Sequence, residues 1–226
     1  MEIELRGFIV DDESAEICRY FGYTVTCPKD IRDSINGAAE GEEVTLIVNS
    51  SGGSLVAGYE MYCALADYKG RVTAVIQSHA ASAATVVMMA CSTVKAYPVS
   101  LICIHNPSTV TEGDALAHKK TIKELEVIKE SIINAYMGRA KASREELAAL
   151  MDKDQFIAVD EAIRLGLVDE VISPALEASQ IINAAGYPVI TDEMRRMYAE
   201  SRKASPTALK DNKALIKAHL ELLKLC

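Results

Sequence analysis

A serine hydroxyl attacks a carbonyl only when a neighbouring base takes its proton, so Ser82, in the small-residue run Ala80-Ala81-Ser82-Ala83-Ala84, has to be read together with the histidines. Ile104-His105-Asn106-Pro107 puts one histidine at the end of an apolar run and just before a proline turn, well placed to face a cleft. His79 is a rival base, but it lies three residues from Ser82 on the same turn. His118 and His219 fall on charged helical faces and read as solvated. A histidine that acts as base needs a carboxylate to orient it, and Asp152, Asp154, Asp160 and Asp169 are the candidates, among which spacing does not choose. Asn49-Ser50-Ser51-Gly52-Gly53 adds paired glycines after an apolar run, where the backbone can come close to a ligand. Taken one at a time, these features are ordinary: Ser82 reads as a helix cap, His105 as a satisfied structural residue and the glycines as a turn. The sequence has no G-x-S-x-G elbow and no G-x-x-x-x-G-K-[ST] phosphate loop.

The surrounding pattern supplies elements to hold these residues. A weakly alternating strand over 3–10 ends at Asp11-Asp12, and Pro28 opens a helix over 27–39. The run 44–49 is β-branched like a buried parallel strand, broken by Ser50–Gly53, and a helix follows over 55–68. The pattern then repeats, with a strand over 71–77, a turn at 78–82 and a helix through about 91. Strands over 94–97 and 101–104 come next. Strands alternating with helices predict α/β layering. Residues 112–141 read as one long helix with Ile122, Leu125, Ile128, Ile132 and Tyr136 on a stripe. Helices over 144–151 and 159–165, the second stopped at Gly166, and a strand over 167–172 complete the body.

The chain has 226 residues, half of them apolar, enough for one core and an appendage. Its net charge of −8 leaves no basic excess to neutralise phosphates, which excludes a nucleic-acid partner. Residues 191–226 carry eight Lys or Arg and five Asp or Glu, so the tail is basic on an acidic chain. That shift marks 174–226 as a helical C-terminal appendage, with Leu209, Ile216, Leu220 and Leu223 on one stripe, to be docked on its own or a neighbouring subunit. Six cysteines include no C-x-x-C pair and no zinc spacing, so no metal site is expected. Cys63, Cys91 and Cys103 read as buried thiols of a reduced, cytoplasmic protein. No signal peptide is read at the start, and the longest apolar run is too short for a bilayer, so no membrane association is expected.

In order, N-S-S-G-G (49–53), A-A-S-A-A (80–84), I-H-N-P (104–107) and D-Q-F-I-A-V-D-E-A-I-R-L-G-L-V-D (154–169) resemble the ClpP-type serine peptidases. C-P-K-D-I-R (27–32), H-N-P-S-T (105–109) and K-E-S-I-I-N-A-Y (129–136) are more narrowly similar to phage ClpP-like head-maturation, or prohead, proteases. The resemblance spans about residues 2–173. It implies an α/β, ClpP/crotonase-like spiral of β-β-α units over 1–173 with a protruding helical handle over about 106–141. It also implies Ser82 as nucleophile, His105 as base, Asp154 as orienting acid and the N–H groups of Gly53 and Ala83 as an oxyanion hole. No cofactor follows from it.

The implied function is a homo-oligomeric, ring-shaped serine endopeptidase that cleaves phage capsid or scaffold protein. The family carries proline where Ser51 stands and glycine where Ser78 and Ala84 stand, which alters turn geometry and leaves the reacting groups unchanged. The family's axial N-terminal segment has no match, so an ATPase partner is not expected. Three other readings stand beside this one: a housekeeping ClpP-type peptidase working with an ATPase, a crotonase-like acyl-CoA enzyme with the same fold, and an inactive ring-forming structural protein.

Overall fold

Two β-branched runs form the centre of a parallel sheet, β3 (Val44–Gly53) and β4 (Val72–Ala81), as seen in a computed structural model that describes residues 1–172. The tail proposed as an appendage lies outside the described residues. In β3, Val44, Leu46 and Val48 are fully buried and Ile47 nearly so, and in β4 Val72, Ala74 and Ile76 are buried. Each Val or Ile so enclosed contributes about 1.5–3 kcal/mol. β1 (Glu2–Ile9) lies beside β3, and β2 (Val25–Thr26) lies beyond it. On the other side, β5 (Thr93–Ala96) follows β4 and β8 (Glu170–Val171) forms the edge. β4 is shared: its first half pairs with β5 and its last residues pair with β6 (Leu101–Cys103). β6 in turn pairs antiparallel with β7 (Ile157–Ala158).

Helices cover the sheet. α2 (Pro28–Gly37), α3 (Leu55–Asp67) and α4 (Ala83–Met88) pack in sequence, α2 on α3 and α3 on α4. A Cβ at Gly58 of α3 would lie 3.2 Å from the Ala83 Cβ, so small residues at both positions set how closely these helices approach. α5 (Ala115–Met137) is the long helix, started by the Asp114 side chain, which accepts from the N–H groups of Leu116 and Ala117. α6 (Arg144–Met151) and α7 (Val159–Leu165) follow as expected, and Gly166 ends α7 at φ 77°.

Several expectations need correcting. Residues 50–53 do not break β3, and residues 78–81 are not a turn. Both strands run on because their neighbours continue to pair with them: Phe8 and Ile9 with Gly52 and Gly53, and His79–Ala81 with Leu101–Cys103. Polar and small residues sit in strand here because the site is built on strand ends. The helix after Ser82 ends at Met88 instead of 91, and the last strand shrinks to two residues. The long helix begins at Ala115, not 112. An unforeseen helix, α1 (Asp12–Tyr20), starts where Asp11 accepts from the Ser14 N–H. Cys63 is exposed on the outer side of α3, whereas Cys91 and Cys103 are buried, and all three are free thiols. The α5 stripe is only half used: Ile132 and Tyr136 are buried, but Ile122 is 56% exposed because the first half of the helix stands away from the core. Among the described residues no helix is long and apolar enough to cross a membrane.

Candidate active site

Three adjacent strand ends carry the candidate residues. Ser82 follows β4, and its N–H donates to the Cys103 carbonyl of β6 at 3.0 Å. His105 lies two residues beyond β6. The antiparallel register of β6 and β7, Leu101 opposite Ala158 and Ile102 opposite Ile157, sets Asp154 opposite His105 when continued past the strand ends. β6 is thus the hub, with the serine on one flank and the acid on the other. Ser82, Ala83, Gly53 and His105 share the wall of a cavity of about 410 Å3. Val86, Leu125, Ile128, Ile132 and Tyr136 form its apolar floor.

Ser82 has φ 54° and ψ −130°, a conformation seldom adopted by a residue with a side chain. Such strain persists only where surrounding packing holds it, and here Gly52 presses against it. A Cβ at Gly52 would lie 2.6 Å from both the Ala81 carbonyl oxygen and the Ser82 Cβ, and 2.9 Å from the Ala83 nitrogen. Ala83 opens α4, so its N–H has no acceptor within the helix. Gly53 pairs with Ile9, and the Ser54 N–H donates to the Ile9 carbonyl at 2.8 Å. In a parallel ladder that pattern leaves the Gly53 N–H directed away from β1, toward the Ser82 side. A Cβ at Gly53 would fall 2.3 Å from the Ile9 carbonyl oxygen.

His105 Nδ1 lies 4.0 Å from an Asp154 carboxylate oxygen, within ion-pair reach and too far for a hydrogen bond. Ser82 and His105 line the same cavity without a direct hydrogen bond between them. Asp154 has φ 46° and its side chain is 73% exposed. The other acids are engaged elsewhere. Asp152 accepts from Lys129 Nζ at 2.6 Å and from Asn106 Nδ2 at 2.8 Å, and these donors, Lys129 first, hold its carboxyl below the usual carboxylate range. Asp169 is paired with Arg139 and accepts from the Val94 N–H at 2.7 Å, which ties β8 to β5. Asp160 sits exposed in the first turn of α7. His79 is turned to the Ser51 hydroxyl, 3.0 Å from its Nε2, and His118 is exposed on α5.

Thr85, which reading the sequence did not single out, and Tyr136, read there only as part of a helical stripe, lie behind the serine. The Thr85 hydroxyl donates to the Ser82 carbonyl at 2.5 Å and lies 2.7 Å from the Tyr136 hydroxyl. Both side chains are buried, and burial raises the Tyr136 phenol far above its ordinary range, so it stays a neutral donor. Spacing gave no signal for this pair, because 51 residues separate its members. Burial likewise pushes the Cys91 thiol up to about 12, so it is not a nucleophile at neutral pH.

The family pattern described as Clp protease matches residues 34–175. An ATP-dependent Clp protease proteolytic subunit from Deinococcus radiodurans is 28% identical over 138 residues, 60% of this chain and 68% of the relative. A protein of the same description from Bacteroides fragilis is 28% identical over 134 residues, covering 58% and 65%. One from Chlorella vulgaris is 30% identical over 139 residues, covering 61% and 69%. A family match over more than half of the chain, on a parallel α/β fold of this kind, means that this chain belongs to the Clp protease family of serine peptidases.

Proposed function

We propose that this protein is a serine endopeptidase in which Ser82 Oγ attacks the peptide carbonyl and His105 accepts its proton. The observation that carries this reading is the convergence of Ser82, His105 and Asp154 from three paired strand ends, the first two on one cavity. Attack forms a tetrahedral intermediate whose oxyanion lies against the Gly53 and Ala83 N–H groups. One such donor contributes about 3–4 kcal/mol to lowering the barrier. His105 then protonates the leaving amine, and an acyl-enzyme on Ser82 remains. Water, activated by His105, releases the acid. Asp154 orients the imidazole and stabilises its charged form, closing from 4.0 Å to hydrogen-bond distance when substrate fills the cavity. The apolar floor of the cavity suits an apolar side chain beside the scissile bond.

The further reading is a ring-shaped homo-oligomer acting on phage capsid or scaffold protein. The similarity of 27–32, 105–109 and 129–136 to prohead proteases supports the substrate class. The exposed apolar side chains of Leu116, Ile122 and Val127 on α5 support assembly through that helix. The test is a fluorophosphonate probe followed by mass spectrometry, together with cleavage of unprocessed capsid protein without an ATPase. Labelling on Ser82, lost with activity in Ser82→Ala, is the expected result. Labelling elsewhere, or full activity in that variant, would overturn the peptidase reading. An active enzyme that degrades protein only when an ATPase is supplied would overturn the capsid reading alone.

A further inference from the structure

We propose that Thr85 and Tyr136 are positioning residues that aim the Ala83 N–H at the oxyanion, so that the long helix α5 holds the catalytic turn through one hydroxyl relay. The proposal rests on the serine peptidase reading above. Its basis is the geometry of a single peptide unit. The Ser82 carbonyl and the Ala83 N–H belong to the same planar trans peptide and point in opposite directions, so fixing one aims the other. The Ser82 carbonyl is fixed twice, by the Thr85 N–H at 2.9 Å and by the Thr85 hydroxyl at 2.5 Å.

A threonine hydroxyl has one proton. Because Thr85 gives its proton to Ser82, the 2.7 Å contact with Tyr136 is made by the tyrosine donating. The relay therefore runs from Tyr136 O–H to Thr85 Oγ1, and from Thr85 O–H to the Ser82 carbonyl. Tyr136 is 1% exposed and Thr85 not at all, so water does not compete for these bonds. Ser82 gives α4 no side-chain cap, and α5 is anchored through Ile132 and Ile133 as well as through Tyr136. The strained φ of Ser82 gives the relay its purpose, since an unrestrained turn would relax toward ordinary dihedrals and rotate the amide out of the cavity.

Thr85→Val keeps the shape and removes the hydroxyl, Thr85→Ser keeps the hydroxyl, and Tyr136→Phe removes only the far donor. Each is compared with the wild type for the Ser82 labelling rate, kcat and KM on a peptide, affinity for a peptide aldehyde that forms a tetrahedral hemiacetal, and melting temperature. For Thr85→Val the expected result is a fall in kcat of about tenfold with KM within about twofold, since only the transition state uses the amide. Aldehyde affinity should fall in parallel, Tyr136→Phe should fall by about threefold, and Thr85→Ser should stay within about twofold of wild type. Should Thr85→Val not fold, Tyr136→Phe carries the test through its own fall of about threefold in kcat and aldehyde affinity with KM unchanged. Unchanged kcat and aldehyde affinity in the folded variants, an effect on KM alone, or Thr85→Ser as impaired as Thr85→Val would each overturn the relay. A wild type that does not label on Ser82 would overturn the peptidase reading and the relay with it, whereas wild-type labelling with unaffected variants overturns the relay alone.

Discussion

The two ends of the candidate site are held in opposite ways. At the serine end almost every constraint is buried: Gly52 packs against Ser82, Thr85 grips its carbonyl and Ala83 is enclosed. At the acid end the constraints are at the surface. Asp154 is mostly exposed, and the neighbouring Asp152 ties the His105-Asn106 turn to α5 through Lys129. A rigidly packed turn suits the nucleophile proposed above, which must meet the carbonyl and the oxyanion donors to within a fraction of an ångström. An orienting carboxylate has only to close on an imidazole, and a looser mount suffices. The difference teaches that the His105–Asp154 side is freer to adjust than the Ser82 turn.

The strongest way to break this contrast is Gly52→Ala. Its φ of 86° and the 2.6 Å contacts that a Cβ would make leave no room for a methyl group. Activity should fall by at least about 100-fold as the oxyanion amide shifts. The melting temperature should fall by about 6–12 °C, as about 3 kcal/mol of strain and overpacking implies. Wild-type kinetics in this variant would show that the serine end is not rigid. Asp154→Asn should have a smaller combined effect, a comparable loss of about 100-fold in kcat but an unchanged melting temperature, because an exposed side chain carries orientation and little packing. A fall in stability comparable to that of Gly52→Ala would remove the contrast.

The smallest effect is expected at Asp152. Its carboxyl is held below the ordinary range by Lys129 and Asn106. Its share of stability is therefore present above the ordinary aspartate value of about 3.9 and is lost as pH falls through the lower folded value. Asp152→Asn should lower kcat by about two- to threefold at low salt, and the difference from wild type should shrink at high salt, where an exposed pair is screened. A salt-independent loss of tenfold would assign Asp152 a direct part in the chemistry.

Much of this was legible in the chain itself. The β-branched run at 44–48 marked a buried strand, Pro28 opened a helix, and Gly166 stopped one, because burial period and cap chemistry are local properties. The ordered segments around Gly52-Gly53, Ser82 and His105 pointed to the family, which the match over 34–175 establishes. Composition misled where it was not local. Ser50–Gly53 and Ser78–Ala81 look like turns, yet both are strand, because pairing to β1 and β6 overrides intrinsic preference. Cys63 looked buried in an apolar run, but the helix turns it outward.

Residue types and their order thus determined which groups are available: a serine among small neighbours, a histidine before a proline turn, glycines where no Cβ fits, and four acids that spacing leaves equivalent. Only the tertiary structure shows where those acids lie: Asp154 is 4.0 Å from His105, while Asp152 and Asp169 are taken up by Lys129 and Arg139. It alone brought Tyr136 behind Ser82. The physical reason is the same in both cases. Strand register and helix packing bring together residues far apart in the chain, and no local pattern records which of them will meet.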